Sequence, residues 1–314
     1  MKKIAFIFPG QGSQFIGMGK DLYNNFESAK RVFDMADAVL NKSITKLCFE
    51  GPEEDLKQTI NTQPAIVTMS IAALEVLKSE LNIKPNYTAG HSLGEYCAMY
   101  AAGVMNLEHT LKAIQKRAEL MSSVSKGAMA AVLNASEEQL QAGLEEGSKI
   151  GYIDIANYNS PVQVVITGDS DAIKTASDYL LSNGVKRVVL LPVSGAFHSK
   201  YMEEAGNKFK EFINGFGLHN ANFPVITNVD AEITTNAEDF RLKMPKQIYS
   251  SVYWTQTIKR MLSEGVDTFI EIGPGKILAG LNKKIAPEAE CYNVYDKESL
   301  HNTVDLLNAQ MAEV

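Results

Sequence analysis

Cysteine, tryptophan and long apolar runs are all scarce in this sequence. The three cysteines, Cys48, Cys97 and Cys291, stand far apart, form no C-x-x-C pair and are odd in number. They do not make a disulfide framework, and a reducing cytoplasm suits them. No stretch nears the ~18 to 20 continuous apolar residues of a membrane span. Lys2 and Lys3 precede an apolar run at Ile4–Phe8, but Pro9-Gly10 breaks it too early for the core of a signal peptide, so no targeting signal is expected. Excess positive charge is missing too. With 30 Lys+Arg against 37 Asp+Glu the formal net charge is -7, so neither nucleic acid nor a membrane is an expected partner. The 22 glycines and 10 prolines are ordinary globular usage, which excludes collagen and a Pro/Gly-rich disordered tract.

What is present is a globular chain of 314 residues, 45% hydrophobic and 21% charged, long enough for two domains or for one domain carrying an insertion. Residues 3–8 read as a buried strand that passes directly into the loop Pro9-Gly-Gln-Gly-Ser-Gln14. Apolar residues from Leu22 to Leu40 recur at spacings of three and four, predicting one amphipathic helix. Residues 64–81 predict a helix apolar nearly all round, hence central, with Pro64 in its first turn. Residues 127–193 read as a separate unit. A strand at 128–133 precedes a helix opened by the capping box Ser136-Glu-Glu-Gln139. Strands at 152–156 and 162–167 flank an Asn-Tyr-Asn-Ser-Pro turn, and a helix at 170–181 leads to a strand at 186–191. This β-α-β-β-α-β order predicts a ferredoxin-like small domain. Residues 1–126 and 194–314 then form one discontinuous large α/β domain, since residues 267–272 return to the strand, glycine loop and helix pattern.

Gly90-His-Ser92-Leu-Gly94 lies between a short strand and an apolar helix, the context of a nucleophile elbow. Small residues at Gly90 and Gly94 suit the tight turn, and the helix N-terminus favours developing negative charge. Ser92 is the candidate nucleophile. A serine hydroxyl needs a base, and there are five histidines. His91 is adjacent but points elsewhere in an elbow, and His109, His219 and His301 suit solvated or packed positions. His198 follows an apolar strand in Pro192-Val-Ser-Gly-Ala-Phe-His198-Ser199, where loops at a sheet's carboxyl edge carry catalytic groups; from position alone its role stays open. Arg117 falls on the border of a helix's apolar stripe. Snorkelling, an ion pair, or a clamp for a substrate carboxylate all fit that position.

With these residues in view, the chain resembles the malonyl-CoA:acyl carrier protein transacylase family of fatty acid synthesis. The resemblance runs over nearly the whole length and is carried by Phe8-Pro-Gly-Gln-Gly-Ser-Gln14, Thr62-Gln-Pro-Ala65, Gly90-His-Ser-Leu-Gly-Glu95, Gln115-Lys-Arg117, Asn157-Tyr-Asn-Ser-Pro161, Gly195-Ala-Phe-His-Ser199 and Glu271-Ile-Gly-Pro-Gly275. It implies a hydrolase-like α/β large domain with a ferredoxin-like insertion. It further implies a Ser92–His198 dyad, the backbone carbonyl of Gln247 orienting the histidine, and an oxyanion hole from the backbone N–H groups of Gln11 and Leu93. Arg117 would hold the malonyl carboxylate, and Phe197 would crowd an α-methyl substituent. The implied reaction is ping-pong transfer of malonyl from malonyl-CoA to the phosphopantetheine thiol of acyl carrier protein. Both thiols are substrates, so no cofactor and no metal are expected; a cytoplasmic monomer is.

Rival readings are an acyltransferase serving a polyketide carrier in trans, a serine esterase or thioesterase, and a non-catalytic scaffold. A dinucleotide-binding protein is disfavoured, because Gly10, Gly12 and Gly17 do not keep the G-x-G-x-x-G spacing. Lys186 and Arg187 offer an acidic carrier a basic patch, or are simply solvated.

Overall fold

Strand β1 (Ile4–Phe8) is buried on both faces: Phe6 and Phe8 enter one apolar cluster, Ala5 and Ile7 another. Burial from both sides is why the run shows no polar alternation. The computed structural model describes residues 2–312 and has a mixed α/β architecture around two sheets. After β1 come α1 (Lys20–Asn25), α2 (Glu27–Leu40), α3 (Ile44–Glu50), α4 (Glu53–Leu56), α5 (Thr59–Glu80), β2 (Tyr87–Gly90), α6 (Gly94–Ala101) and α7 (Leu107–Ser122). Then follow β3 (Ala128–Leu133), α8 (Glu137–Ser148), β4 (Ile153–Ser160), β5 (Gln163–Gly168), α9 (Ser170–Ser182) and β6 (Arg187–Leu190). The chain continues through α10 (Glu203–Ile213), β7 (Val225–Ile226), β8 (Ile233–Thr234), α11 (Ala237–Gln247), α12 (Trp254–Ser263), β9 (Thr268–Ile272), α13 (Ile277–Ile285), β10 (Glu290–Val294) and α14 (Lys297–Ala312).

The larger sheet has the order β10-β9-β1-β2-β7-β8, parallel except for the antiparallel β7–β8 pair. Parallel pairing sends the carboxyl ends of β1, β2, β7 and β9 to one edge, so the loops after them meet there. The smaller sheet has the order β4-β5-β3-β6 with antiparallel neighbours. In β3, Ala130 and Val132 pack with α8 and α9, while Met129 and Ala131 join the main core. The alternation of side chains along one strand thus aims Met129 at the larger sheet's side. The capping box at Ser136 and Gln139 is formed, as its sequence predicts.

Three expectations need correction. The helix predicted across Leu22 to Leu40 is two helices, α1 and α2, because Phe26 adopts an extended backbone at φ -134, ψ 122. Pro64 lies inside α5, which begins earlier, at Thr59. The Asn157-to-Pro161 stretch is mostly strand: β4 continues to Ser160 and absorbs two register shifts against β5, so the turn shrinks to the residues between Ser160 and Gln163. These irregularities let β4 serve two partners. Tyr158 N–H donates to Val252 O at 2.9 Å, Val252 N–H to Ala156 O at 2.8 Å, and Thr255 Oγ1 to Tyr158 O at 3.0 Å, tying the smaller sheet to the start of α12 and the segment before it. By length and hydropathy α5 would also span a bilayer, contrary to the count of continuous apolar residues. However, 83% of its most apolar window is buried inside the protein, as befits a central core helix.

Candidate active site

Ser92 occupies the turn between β2 and α6 with φ +51, a left-handed backbone that residues with a Cβ disfavour. A Cβ on Gly90 would run into the backbone of Gly94, and one on Gly94 into the backbone of Phe8 and Pro9, so the tight turn and its seat against the end of β1 both need glycine. Side chains distant in sequence hold it. Ser92 N–H donates to Asn228 Oδ1 at 2.8 Å, Asn228 Nδ2 donates to Gly90 O at 2.7 Å, and Gln247 Nε2 donates to Ser92 O at 2.6 Å. In a trans peptide the next N–H points opposite to the carbonyl, so the Gln247 bond also fixes the direction of Leu93 N–H. Among the described residues, the N–H groups of Leu93 and Gln11 form no hydrogen bond to the protein.

His198 Nε2 lies 2.8 Å from Ser92 Oγ, and its Nδ1 faces the carbonyl oxygens of Gln247 at 3.0 Å and Ser250 at 3.1 Å. Two acceptors at Nδ1 assign the proton to that nitrogen, leaving the Nε2 lone pair to accept from the serine hydroxyl. Burial, and then the nearby charge of Arg117, push the imidazole down to about 3. It is therefore neutral in the free protein at ordinary pH and ready to take a proton. Like Ser92 it has a left-handed backbone, at φ +55.

Position disposes of two of the three open readings of Arg117, snorkelling and an ion pair: it is only 1% exposed, and no carboxylate forms a salt bridge with it among the described residues. Its donors go to neutral acceptors. Nη1 reaches Gln63 Oε1 at 2.7 Å, Nη2 reaches Gln247 Oε1 at 3.0 Å, and Nη2 also reaches Ser92 Oγ at 3.0 Å. Burial lowers its pKa, with Tyr96 and Glu95 opposing, yet a guanidinium stays charged. Glu95, whose charge acts on Arg117, is itself pushed up to about 8 by its own burial and is a weak counter-charge. A buried cation lacking a paired anion is poised for an anionic ligand.

These groups surround a cavity of about 110 Å³ lined by Gln11, Gln63, His91, Ser92, Arg117, Met121, Met129, Asn157, Leu191, Val193, Phe197 and His198. That is well below the ~300 to 1,000 Å³ of pockets for drug-sized ligands and suits a short acyl group. Five of the seven residues singled out in the sequence line it; Leu93 and Gln247 lie behind the wall and act on Ser92 and His198 from there. Larger cavities elsewhere, such as one of about 480 Å³ against α8, hold none of these groups. His91, expected to be a packing residue, contributes to the wall and also ties the elbow to the smaller sheet, its Nε2 lying 2.7 Å from Asn159 Oδ1. Lys186 and Arg187 are exposed, with Arg187 opening β6. Sequence reasoning missed Gln63, Asn228, the Ser250 carbonyl and the side chain of Gln247. Only Gln63 left a signal, being part of Thr62-Gln-Pro-Ala65.

An acyl transferase domain model matches residues 5–304. The malonyl CoA-acyl carrier protein transacylase of Bacillus subtilis (strain 168) is 44% identical over 99% of both chains. The crystal structure of the transacylase of that name from Clostridium perfringens superposes with a TM-score of 0.93 at 38% identity, covering 99% of this chain and 100% of that one. A malonyl-transacylase solved in complex with its type II polyketide synthase acyl-carrier protein matches with a TM-score of 0.93 at 35% identity, covering 97% and 99%. With an elbow serine, a neutral histidine and a buried arginine around one small cavity, and with likeness of this extent, the chain belongs to the acyl transferase domain family, among the malonyl CoA-acyl carrier protein transacylases.

Proposed function

We propose that this protein transfers a malonyl group from malonyl-CoA to the phosphopantetheine thiol of acyl carrier protein through a malonyl-serine ester. The observation that carries the reading is Arg117, a buried guanidinium without a paired anion, 3.0 Å from the serine oxygen. A hydrolase of neutral esters has no use for such a charge. A malonyl group brings a carboxylate to it while placing its thioester carbonyl at Ser92.

In the first half-reaction Ser92 Oγ attacks the thioester carbon as His198 Nε2 takes its proton. The N–H groups of Gln11 and Leu93 receive the oxyanion. The two carbonyls on Nδ1 steady the imidazolium, which passes its proton to the departing CoA sulfur. In the second half the carrier thiol gives its proton to His198, attacks the ester, and Ser92 leaves as the hydroxyl. No cofactor enters, since both thiols are substrates. The 44% identical Bacillus subtilis relative, named for malonyl-CoA and acyl carrier protein, supports that donor and acceptor, and the complex of a related transacylase with its type II polyketide synthase acyl-carrier protein supports docking of a carrier.

Under this reading residues 1–126 and 194–314 are a hydrolase-like α/β domain and residues 127–193 a ferredoxin-like insertion, supported by the two strand orders. The protein works as a cytoplasmic monomer, a placement that suits its three free cysteines. Lys186 and Arg187 are proposed carrier contacts. The test is intact-protein mass spectrometry after brief mixing with malonyl-CoA: one malonyl group should appear on Ser92, vanish in Ser92→Ala, and be discharged by acyl carrier protein. Turnover without that adduct would falsify the scheme.

A further inference from the structure

The elbow is held from outside the reacting groups, chiefly by Asn228. This residue lies two positions past the end of β7 and is 0% exposed. Both ends of its amide are used on the turn, Oδ1 accepting Ser92 N–H at 2.8 Å and Nδ2 donating to Gly90 O at 2.7 Å. Its own backbone N–H donates to Glu95 Oε2 at 2.5 Å, and Glu95 is itself buried in the first turn of α6. One amide therefore spans the residue before the nucleophile's neighbour and the nucleophile itself, while a carboxyl from the helix that the turn opens fixes where that amide stands. Ser92 needs such a hold. Its left-handed backbone is disfavoured, and its N–H would otherwise be buried in the turn without a partner.

We propose that Asn228, seated by Glu95, is a positioning residue for Ser92, holding the nucleophile in its left-handed turn so that Oγ faces His198 Nε2. Neither side chain touches a reacting atom. The arrangement orients the serine through its backbone, as Gln247 orients the histidine through a carbonyl. It rests on Ser92 being the nucleophile and deepens that reading.

The test compares Asn228→Ala, Asn228→Asp, Glu95→Ala and Glu95→Gln with the parent, each first checked by circular dichroism and cooperative unfolding. Two rate constants are measured on the full chain. One is malonyl-serine formation by rapid quench; the other is covalent inactivation by an uncharged organophosphorus fluoride, which reads the serine–histidine geometry without Arg117. Asn228→Ala should lower both by about 10- to 100-fold, as a small misplacement of reacting atoms does. The malonyl-CoA concentration giving half-maximal rate should stay within about threefold, because the binding groups are untouched. Asn228→Asp keeps an acceptor for Ser92 N–H and should lose less. Glu95→Gln keeps an acceptor oxygen for Asn228 N–H and should recover most of what Glu95→Ala loses.

A folded Asn228→Ala protein with both rates within about threefold of the parent overturns the proposal, as does a rise in half-saturating concentration equal to the fall in rate. Should that variant not fold, the Glu95 pair decides: equal rates in Glu95→Ala and Glu95→Gln overturn it. A parent that reacts with the fluoride but forms no malonyl-serine refutes the malonyl reading and leaves the positioning test intact. A parent inert to both reagents refutes Ser92 as nucleophile, and the proposal with it.

Discussion

Replacing Arg117 by alanine should erase the preference for a substrate that carries a carboxylate. In the parent the guanidinium is 1% exposed and binds the oxygens of Gln63, Gln247 and Ser92, none of them an anion. A malonyl carboxylate entering the Arg117→Ala cavity would be buried without its counter-charge. Truncating one partner of such a pair costs about 2 to 5 kcal/mol, or about 30- to 4,000-fold in rate at 1.4 kcal/mol per tenfold. The variant also strips a donor from Gln63 and Gln247, but that damage is common to every acyl group. The measured quantity is therefore a ratio, kcat/KM for malonyl-CoA over kcat/KM for acetyl-CoA, in which the shared loss cancels. It should fall by at least about 30-fold. A second consequence concerns pH. Serine acylation requires neutral His198, which burial first and Arg117 second hold down to about 3, so the parental rate should stay flat from about pH 7 to about pH 5. Removing Arg117 lifts one of those two causes, and the acid limb should move to higher pH. An unchanged malonyl-to-acetyl ratio in a folded variant would refute the assignment of Arg117 as the carboxylate clamp.

Three further outcomes follow from the same geometry. Gln247→Glu sets a carboxylate against Arg117, where the neutral Oε1 now lies at 3.0 Å, so it should compete with the malonyl carboxylate and raise KM for malonyl-CoA by about tenfold or more, visible in initial-rate assays. Phe197 is 5% exposed and part of the cavity wall; if its ring bounds the space for the acyl chain, Phe197→Ala should raise the methylmalonyl-to-malonyl ratio of kcat/KM, and an unchanged ratio would return it to a packing role. Glu271 accepts the N–H groups of Leu278 and Ala279 at 2.9 and 2.8 Å, so Glu271→Ala leaves buried helix donors bare and should cost about 3 kcal/mol in urea unfolding. Burial raises this carboxyl from 4.5 to about 7, so the stability it contributes is full below about pH 4.5 and fades as pH rises through about 7. Glu271→Gln should flatten that part of the profile, and superimposable profiles would refute the linkage.

Local chemistry made much of this legible in the sequence. The two-sided apolar run of β1, the capping box at Ser136 and the small residues around Ser92 each express constraints between neighbours in the chain. Misreadings arose where a tertiary partner overrode the local pattern. Phe26 breaks a continuous helical stripe by turning extended between α1 and α2, and Asn157 to Ser160 look like turn residues yet extend β4 across its register shifts. Arg117 stayed open between three meanings, because helical spacing locates a side chain on a face without saying what that face meets.

By itself, then, the chain's order of residues determined the strained elbow, the serine at its tip and the alternation of strands and helices, since all of these depend on spacings of a few residues. The tertiary structure alone decided that Arg117 is buried beside Ser92 and that two side-chain amides grip the elbow. Gln247 lies 130 residues from Arg117 and Asn228 lies 136 from Ser92. Contacts at such separation are set by which strands become neighbours in the parallel sheet, because that order brings the loops at its carboxyl edge together around one cavity.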